Sequence, residues 1–493
     1  MIAPQRAFYR PGEPVEIAVP GPFRATIWQL ADCVAELNGR DCLRWTPPSE
    51  IRRGYRVRVE TETGTTWTAF DVLNQWTDAP RYGYLVNFKP DRASFDLDWL
   101  LSMHVNGLQF YDWLYRHDTL LPPSNEFLDP LGRPQSLATV RRLIDEAHAR
   151  GMAAMPYTAI YAASPPFAAA HPGWGLYDEH GVIYDFADGF LKYMNPASGW
   201  SAHLAQECAG LVEAMPFDGI HLDQYGEPFT GYDASGQSVN LPAALRGAIE
   251  QVRAAVPPDE AVLFNLVHNW PLDAIAPAPL DFLYCELWPP MITLGDLARV
   301  AEQNRAASHG RIPVIAAYIL PERETTVKMA QAVMLASGAS HIAHGEDGLY
   351  LSDPYFPKAG RPSAELAAQL KRLADFGVAY EELLGFADRA FCEAELSAPL
   401  WVIRRRTARN LVVHLINASP DESWTADLPE RTPQHDVQLA MNVDGEVARI
   451  WCATPDHEAP PQPLSFTQDG ARVMTIVPRV DTWTMVCIEL ARD

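Results

Sequence analysis

Few of the features that mark disulfide-bonded, zinc-binding or membrane-spanning proteins occur in this sequence. Its seven cysteines are scattered, odd in number and without a CxxC pair. This usage argues against a disulfide scaffold or a structural zinc site and favours buried, reduced thiols. No apolar run is long enough to span a bilayer. The N-terminus, MIAPQRAFYRPGEPVEI, lacks the basic and then apolar pattern of a secretory signal, so we expect a cytoplasmic protein, or a secreted one whose signal has been removed.

Positive charge is also scarce: the chain has 39 basic and 62 acidic residues, which gives a formal net charge of −23. This excess argues against nucleic acid and anionic membranes as partners and favours a neutral or cationic ligand. Apolar residues make up 48% of the chain and charged residues 20%, as is typical of soluble globular proteins. At 493 residues the chain is too long for one ordinary core, so we expect two or three domains.

The first 76 residues have the pattern of an all-β domain. Apolar residues alternate in 15–19 and in 55–59, and the ETGT sequence at 62–65 predicts a turn between two strands. Prolines within 20–22 and 47–48 are expected to separate short strands. We therefore predict an immunoglobulin-like β-sandwich for residues 1–76.

Between residues 77 and 386, apolar strands alternate with amphipathic helices. Apolar stripes that begin at Leu137, Leu241 and Leu294 predict three helices, and a fourth is expected over 363–384. This order and length predict a (β/α)8 TIM barrel. A doubly wound open sheet is the alternative, but no glycine-rich phosphate loop follows the first strand. The eight predicted strands are Tyr84–Phe88, Gly107–Tyr111, Ala153–Tyr157, Gly219–Asp223, Ala261–Asn265, Phe282–Glu286, Pro313–Ala317 and Ser340–His344.

Residues 387–493 return to a strand pattern, from which we predict a C-terminal β-sandwich. Such a domain either braces a barrel or holds polysaccharide, and the sequence leaves both roles open. The predicted strands are Leu400–Arg404, Leu411–Ile416, Val437–Met441, Val447–Cys452, Val473–Val477 and Trp483–Ile488.

Two barrel strands end in a carboxylate. The segment FDGIHLDQYGEP closes the fourth predicted strand with Asp223, and DFLYCELWP closes the sixth with Glu286. Catalytic groups of a TIM barrel lie at the carboxyl ends of its strands, and alternate strands contribute to the same layers. Two facing carboxylates are the minimal machinery of glycoside hydrolysis, with either retention or inversion according to their separation.

Sequence neighbours suggest a division of roles between the two acids. Glu286 stands between Cys285 and Leu287, with Trp288 nearby, and is expected to be the more desolvated and therefore the protonated acid. Asp223 has polar neighbours that suit an ionised nucleophile. Cys285 is expected to point away from the barrel interior, since adjacent strand residues face opposite ways.

Four segments together resemble glycoside hydrolase family 66, which comprises dextranases and cyclising isomaltooligosaccharide glucanotransferases. They are FDGIHLDQYGEP, LYCELWPP, NGLQFYDWLYRHD at 106–118 and YMNPASGW at 193–200. The resemblance implies an endo-acting, retaining enzyme on α-1,6-linked glucan, with Asp223 as nucleophile and Glu286 as acid/base. It implies an order of immunoglobulin-like domain, barrel and β-sandwich, and an α-glucan or oligosaccharide as the partner.

Substrate-binding residues follow from the same resemblance and from the strand ends. The resemblance places Tyr111, Asp112 and His117 in the donor-sugar pocket. Helix capping by Asp112 and core packing of its aromatic neighbours are the structural alternatives. Further candidate contacts from the strand ends are Gln224, Tyr225, Trp288 and His344.

Neither a cofactor nor a metal is expected, because the leaving group needs only a proton and the sugar cation only a carboxylate. His221 and Asp223 could form a His-x-Asp metal pair, but no second histidine cluster with suitable spacing supports it. A hydrogen-bonded barrel histidine is the expected role of His221. For His344, substrate contact and a structural role both remain open.

Two departures from the family pattern shape the predicted activity. Cyclising members carry a carbohydrate-binding module late in the barrel, and the spacing from Pro313 to His344 leaves no room for one. Hydrolysis is therefore predicted over cyclisation. The missing export signal admits intracellular isomaltooligosaccharides beside dextran as substrates. A transglycosylase and a catalytically silent sugar-binding barrel are the alternative functions.

Overall fold

The computed structural model describes residues 2–92 and 96–491. Its first unit is an antiparallel sheet of four strands, Val15–Gln29, Asp32–Trp45, Arg53–Thr61 and Gly64–Val72, in which the first strand pairs with the second and the third. The predicted turn joins the third strand to the fourth. The prolines of 20–22 do not divide the first strand, which continues through them with a shift of pairing register between Val19 and Pro22.

Eight parallel strands form the barrel, and each of them overlaps a predicted one. Each strand pairs with the next in chain order. The ring closes where the backbone N–H of Tyr84 donates to the carbonyl oxygen of His344 at 3.1 Å. The strands, numbered here from first to eighth, are Tyr82–Leu85, Gly107–Phe110, Ala153–Ala159, Gly219–Asp223, Ala261–Val267, Leu283–Glu286, Val314–Ala316 and Ser340–His341.

Helices cover the outside of the barrel, and the four predicted ones are among them. Apolar stripes face the strands, and N-caps fix several starts; the Ser136 hydroxyl accepts from the Thr139 N–H, and Thr293 forms a capping box with Asp296. No helix of the described residues is long and apolar enough to cross a membrane. The helices are Asp98–Ser102, Leu137–Ala149, Pro165–Ala170, Trp200–Ala214, Leu241–Ala255, Leu272–Ile275, Leu294–Ala307, Glu324–Ala336 and Ala364–Ala379.

Side chains of each barrel strand alternate between two cores. On the fourth strand, Ile220 and Leu222 pack outward with the helices, whereas His221 packs inward among aromatic rings. Cys285 lies in the outer core, as predicted. This alternation leaves Asp223 on the inward face, at the carboxyl end of its strand.

Long connections after the second, third and fourth strands build a rim above that end of the barrel. They contain the paired strands Glu126–Leu128 and Pro134–Ser136, the three strands Ala162–Ala163, Asp185–Phe186 and Leu191–Tyr193, and the pair Gly231–Tyr232 and Ser238–Val239. Single 3-10 turns lie at Trp76–Asp78, Pro172–Trp174, Glu346–Gly348 and Phe356–Lys358.

The C-terminal unit is a sandwich of two antiparallel sheets with an apolar core between them. All six strands predicted here are found. One sheet contains Asp388–Arg389, Trp401–Arg406, Asn410–Ile416, Trp483–Leu490, Val447–Ala453 and Gln462–Leu464; the other contains Ala394–Leu396, Gln434–Asn442, Arg472–Val480 and Phe466–Asp469. The boundaries 1–76, 77–386 and 387–493 stay predictions.

Close contacts attach both β units to the barrel. The buried guanidinium of Arg405 in the C-terminal sheet donates to Glu302 on a barrel helix at 2.7 Å. In the N-terminal sheet, Gly54 lies against the end of helix Ala364–Ala379, where an added Cβ would stand 2.7 Å from the Ala379 carbonyl oxygen. Glycine is therefore required at 54 by backbone-to-backbone packing.

We predict that Gly54→Ala lowers the free energy of unfolding by about 1–3 kcal/mol, because the methyl group must push the sheet away from the helix. Urea denaturation followed by circular dichroism measures the effect. Gly247→Ala is the matched control: a Cβ there meets nothing within 4 Å. Alanine is the better helix former, so this control should be neutral or stabilising. Equal midpoints for both variants would contradict the packing account.

Candidate active site

A cavity of about 920 Å³ opens above the carboxyl ends of the barrel strands. It is within the size range of ligand sites, and it combines aromatic walls with a few convergent polar groups. Eight residues predicted to act on or bind substrate line it: Tyr111, Asp112, His117, Asp223, Gln224, Tyr225, Glu286 and Trp288. The loops after several separate strands thus bring together side chains that are far apart in the sequence.

One amide nitrogen lies between the two carboxylates. Asn265, near the end of the fifth strand, donates from Nδ2 to Asp223 Oδ1 at 2.7 Å and to Glu286 Oε2 at 2.8 Å. These two oxygens can therefore be no more than 5.5 Å apart. The fifth strand pairs with both the fourth and the sixth, so the barrel's register sets this spacing.

Asp223 is the more enclosed carboxylate, with 8% of its surface exposed. Its second oxygen accepts from the Tyr157 hydroxyl at 2.7 Å. Burial raises the pKa of Asp223 to about 7, the negative charge of Glu286 adds to the rise, and the hydrogen bonds from Tyr157 and Asn265 act in the opposite direction. The two hydrogen-bond donors therefore favour the ionised carboxylate of Asp223, whereas burial favours its protonated form.

Glu286 is held by three donors but stands partly exposed at the cavity wall. The Tyr318 hydroxyl donates to Oε1 at 2.6 Å and the Trp288 indole to the same oxygen at 2.8 Å. The expectation that Glu286 is the more desolvated acid is wrong. Its apolar sequence neighbours Cys285 and Leu287 pack in the outer core and do not cover the carboxyl group.

The cavity wall at the carboxyl end of the second strand carries the predicted donor-sugar residues. The Tyr111 ring stacks on Phe356 with centroids 4.5 Å apart and planes 8° apart. Asp112 is not a helix cap but accepts from Arg133 Nη2 at 3.0 Å. Burial raises the pKa of Asp112 to about 6, against the lowering effect of the Arg133 charge. A planar aromatic face and a paired carboxylate thus stand side by side.

His117 presents a hydrogen-bond donor to the same wall. Its Nδ1 accepts from the backbone N–H of Ala159 at 3.2 Å. Burial lowers the pKa of His117 to about 4, so the ring is neutral at physiological pH. With Nδ1 acting as an acceptor, the single proton is on Nε2. That N–H is suited to a neutral hydroxyl group.

The remaining predicted contacts are placed differently from one another. The Trp288 indole donates to Glu286, and the Tyr225 ring stacks on Phe186 with centroids 4.5 Å apart. Gln224 lines the cavity, but its amide nitrogen is used by the carbonyl oxygens of Asn265 and Trp270 at 3.1 and 2.8 Å. Its role in the structure is therefore to connect the loops after the fourth and fifth strands.

His344 is not brought to this cavity. It packs edge-on to Trp99 and Tyr350 and borders a small void of about 90 Å³ near the amino ends of the strands. Burial lowers the pKa of His344 to about 3, so the ring is neutral. Its surroundings are those of a packed core histidine.

His221 lies one layer beneath the carboxylates, with Nδ1 3.2 Å from the Tyr82 hydroxyl and its ring against Tyr284. Burial lowers its pKa to about 3. The hydrogen-bonded barrel histidine predicted at 221 is confirmed. In the part of the chain that the structure describes, no three His, Cys, Asp or Glu side chains are grouped to hold a metal ion.

Sequence reasoning missed the residues that orient the carboxylates: Tyr157, Asn265 and Tyr318. Each stands at or just past the end of a predicted strand, which was the available signal. Which polar group reaches which acid depends on pairing between neighbouring strands, and the sequence does not contain that register explicitly.

Comparison with known proteins identifies the family of this chain. The chain is 24% identical to a cycloisomaltooligosaccharide glucanotransferase of Niallia circulans, covering 98% of this chain and 71% of the relative. That alignment runs over 686 positions, so at least 193 of them have no counterpart among the 493 residues here. A dextranase of Streptococcus salivarius is 25% identical over 252 residues, which cover 44% of this chain and 30% of the dextranase.

The same architecture is found in a solved structure. A Paenibacillus sp. cycloisomaltooligosaccharide glucanotransferase complexed with cycloisomaltoheptaose superposes with a TM-score of 0.90, at 22% identity and over 99% of both chains. The family model described as glycosyl hydrolase family 66 matches residues 4–487, which include the barrel, its carboxylate pair and most of both flanking units. This chain belongs to glycosyl hydrolase family 66.

Proposed function

We propose that this protein is a retaining endo-glycoside hydrolase that cleaves α-1,6-glucosidic linkages of dextran or isomaltooligosaccharides. Membership of family 66 and the relatives named as dextranase and as cycloisomaltooligosaccharide glucanotransferase support this substrate class. The observation that carries the proposed mechanism is the shared Asn265 amide between Asp223 and Glu286.

The spacing of the acids favours retention. Retaining glycosidases hold their two carboxyl groups about 5–5.5 Å apart, whereas inverting ones need about 6.5–9.5 Å to admit a water molecule. The limit of 5.5 Å set by Asn265 falls in the first range. This separation is shorter than the one that inversion requires.

In the first step Asp223 attacks C1 of the donor glucose. The bond between C1 and the glycosidic oxygen breaks, and Glu286 gives its proton to that oxygen, so the shortened glucan leaves with a free 6-hydroxyl. The product on the enzyme is a glucosyl ester of Asp223. Esterification removes the Asp223 charge and leaves Glu286 ionised, ready to act as a base.

In the second step Glu286 takes a proton from a water molecule, whose oxygen attacks C1 on the face that the leaving group vacated. The ester bond breaks and Asp223 regains its negative charge. Two inversions give net retention. Both steps move only protons and one glucosyl group, so the carboxylates suffice and no cofactor is required.

Neighbouring residues support these steps by orientation. Asn265 and Tyr157 donate to the two oxygens of Asp223, which fixes the attacking lone pair. Tyr318 and Trp288 fix Glu286 at Oε1. We assign Tyr111, Asp112 and His117 to the donor glucose: a flat ring for stacking, and an acceptor and a donor for its hydroxyl groups.

The short segment between the seventh and eighth strands favours hydrolysis over cyclisation. That segment holds the single helix Glu324–Ala336 and no further domain. The unmatched positions of the alignment to the glucanotransferase show that the relative is longer within the aligned region. A transglycosylase remains the second candidate, because the same glucosyl ester can pass to a sugar hydroxyl. The intact carboxylate pair speaks against a silent sugar-binding barrel.

We expect Asp223→Ala to lose at least about 1,000-fold in kcat/KM on dextran, because no ester can form without the carboxylate. Reducing-end release from dextran and from isomaltotriose measures the loss. Asp444→Ala, at an exposed turn of the C-terminal sandwich, is the control and should match the wild type. Undiminished activity of Asp223→Ala would remove the assigned nucleophile, and a wild type without turnover on any α-glucan would favour a binding protein.

We predict that Glu286→Gln moves the acid limb of the kcat/KM profile to lower pH. The Glu286 charge raises the pKa of Asp223, so its removal lets Asp223 stay ionised in more acidic solution. A glucosyl fluoride donor, whose leaving group needs little protonation, isolates this step. An acid limb at the wild-type pH would contradict the electrostatic coupling.

Asn265→Ala is predicted to shift the acid limb of the kcat/KM profile to higher pH. The Asn265 hydrogen bond lowers the pKa of Asp223, and without it Asp223 takes up a proton at higher pH. We also expect kcat/KM at the optimum to fall by about 10–100-fold through lost orientation. The pH profile with the same fluoride donor tests both. An unshifted limb would mean that the amide does not govern the pair.

A further inference from the structure

The loops after the fourth, fifth and sixth strands form a second wall of the cavity, across from the donor-sugar residues. Glu227, His268 and Trp288 contribute to it, and Phe229 stands beside His268. The indole of Trp288 donates to Glu286, so this wall adjoins the carboxyl group assigned to the leaving oxygen. Sugar units beyond the cleaved bond must therefore lie along it.

His268 is held toward the cavity by a left-handed backbone. Its φ is +59° and that of Asn269 is +56°, values that cost energy for residues other than glycine. The His268 N–H donates to the Glu286 carbonyl oxygen at 3.0 Å. The Asn269 side chain points the other way, where its oxygen accepts from Asn304 at 2.7 Å. Strain of this kind is concentrated at functional sites.

Space for the imidazole is provided by Gly226, whose φ is +82°. A Cβ at this position would stand 3.1 Å from His268 Cδ2. The ring then lies between two aromatic neighbours, Phe229 at 6.1 Å and Trp288 at 6.4 Å between centroids. Phe229 is 41% exposed, a large apolar face left open to the solvent.

The imidazole has hydrogen-bonding capacity that the protein does not use. Among the described residues no hydrogen bond or ion pair reaches its ring nitrogens, in contrast to His117, His221 and His341, which have partners. Two ring nitrogens open to hydrogen bonding and adjacent aromatic faces form the combination that recognises a sugar ring and its hydroxyl groups.

We propose that His268, with Phe229 and Trp288, forms the binding site for the glucose unit on the leaving-group side, and that it also holds the sugar acceptor that competes with water. This inference rests on the proposed glucosyl-enzyme mechanism. In the transfer step Glu286 takes the proton from the acceptor 6-hydroxyl, whose oxygen bonds to C1 as the ester bond to Asp223 breaks. His268 then sets how often the glucosyl group goes to sugar instead of water.

The test measures how the glycosyl group divides between water and a sugar acceptor. The donor carries fluoride in place of a leaving-group sugar, so the His268 site is free for the acceptor. α-Isomaltosyl fluoride is supplied with increasing methyl α-isomaltoside, and the transfer and hydrolysis products are quantified by chromatography. Their ratio rises with acceptor concentration. The slope of this ratio against acceptor concentration does not depend on how much enzyme is active, so partial unfolding of a variant does not change it.

His268→Gly removes the imidazole and tolerates the left-handed backbone, and we expect it to lower the slope about tenfold. His268→Asn also tolerates this backbone and keeps polar atoms, so its slope should fall less. Phe229→Ala should reduce the slope as well, and it serves if the glycine variant does not fold. His180→Gly, on an exposed loop, is the matched control and should retain the wild-type slope.

A slope of His268→Gly, or failing that of Phe229→Ala, within about twofold of the wild type would overturn the acceptor site. A wild type that releases no fluoride would instead remove the proposed function, and the inference with it. The two failures are distinct, because the first occurs in an active enzyme and the second in an inactive one.

Discussion

The hydrogen bonds from one side-chain amide to two acids are the contacts on which the rest of the site depends. Asn265 lies on the strand between those of Asp223 and Glu286 and donates to both. Two carboxylates this close repel each other, and the shared donor both offsets that repulsion and limits their separation. The raised pKa of Asp223 and the proposed retention of configuration both follow from this geometry.

The barrel supplies that geometry through strand register. Parallel strands end at one rim, so polar residues near or just past the ends of the third to seventh strands converge although they are far apart in the sequence. Apolar and aromatic layers below, among them His221 with Tyr82 and Tyr284, fix the strands from inside. The flanking β units pack on barrel helices and lie away from the carboxylates, as the contacts of Gly54 and Arg405 show.

Much of this arrangement is readable from the sequence. The eight barrel strands are separate apolar runs bounded by helix stripes, so their positions and the two terminal carboxylates could be predicted. Relative burial could not, because the apolar neighbours of Glu286 face the outer core. The partners of the acids and the open imidazole of His268 depend on register and on left-handed turns. The first strand likewise passes through Pro20 and Pro22 because a bulge absorbs them.

The central claim is a covalent glucosyl ester on a single carboxylate, and trapping that ester tests it most directly. The protein is incubated with a 5-fluoro-α-glucosyl fluoride, which slows breakdown of the ester more than its formation, and is then digested and analysed by mass spectrometry. The account predicts one added fluoroglucosyl group on the peptide that contains Asp223. Steady turnover of α-glucan with no adduct, or an adduct on another residue, would contradict it.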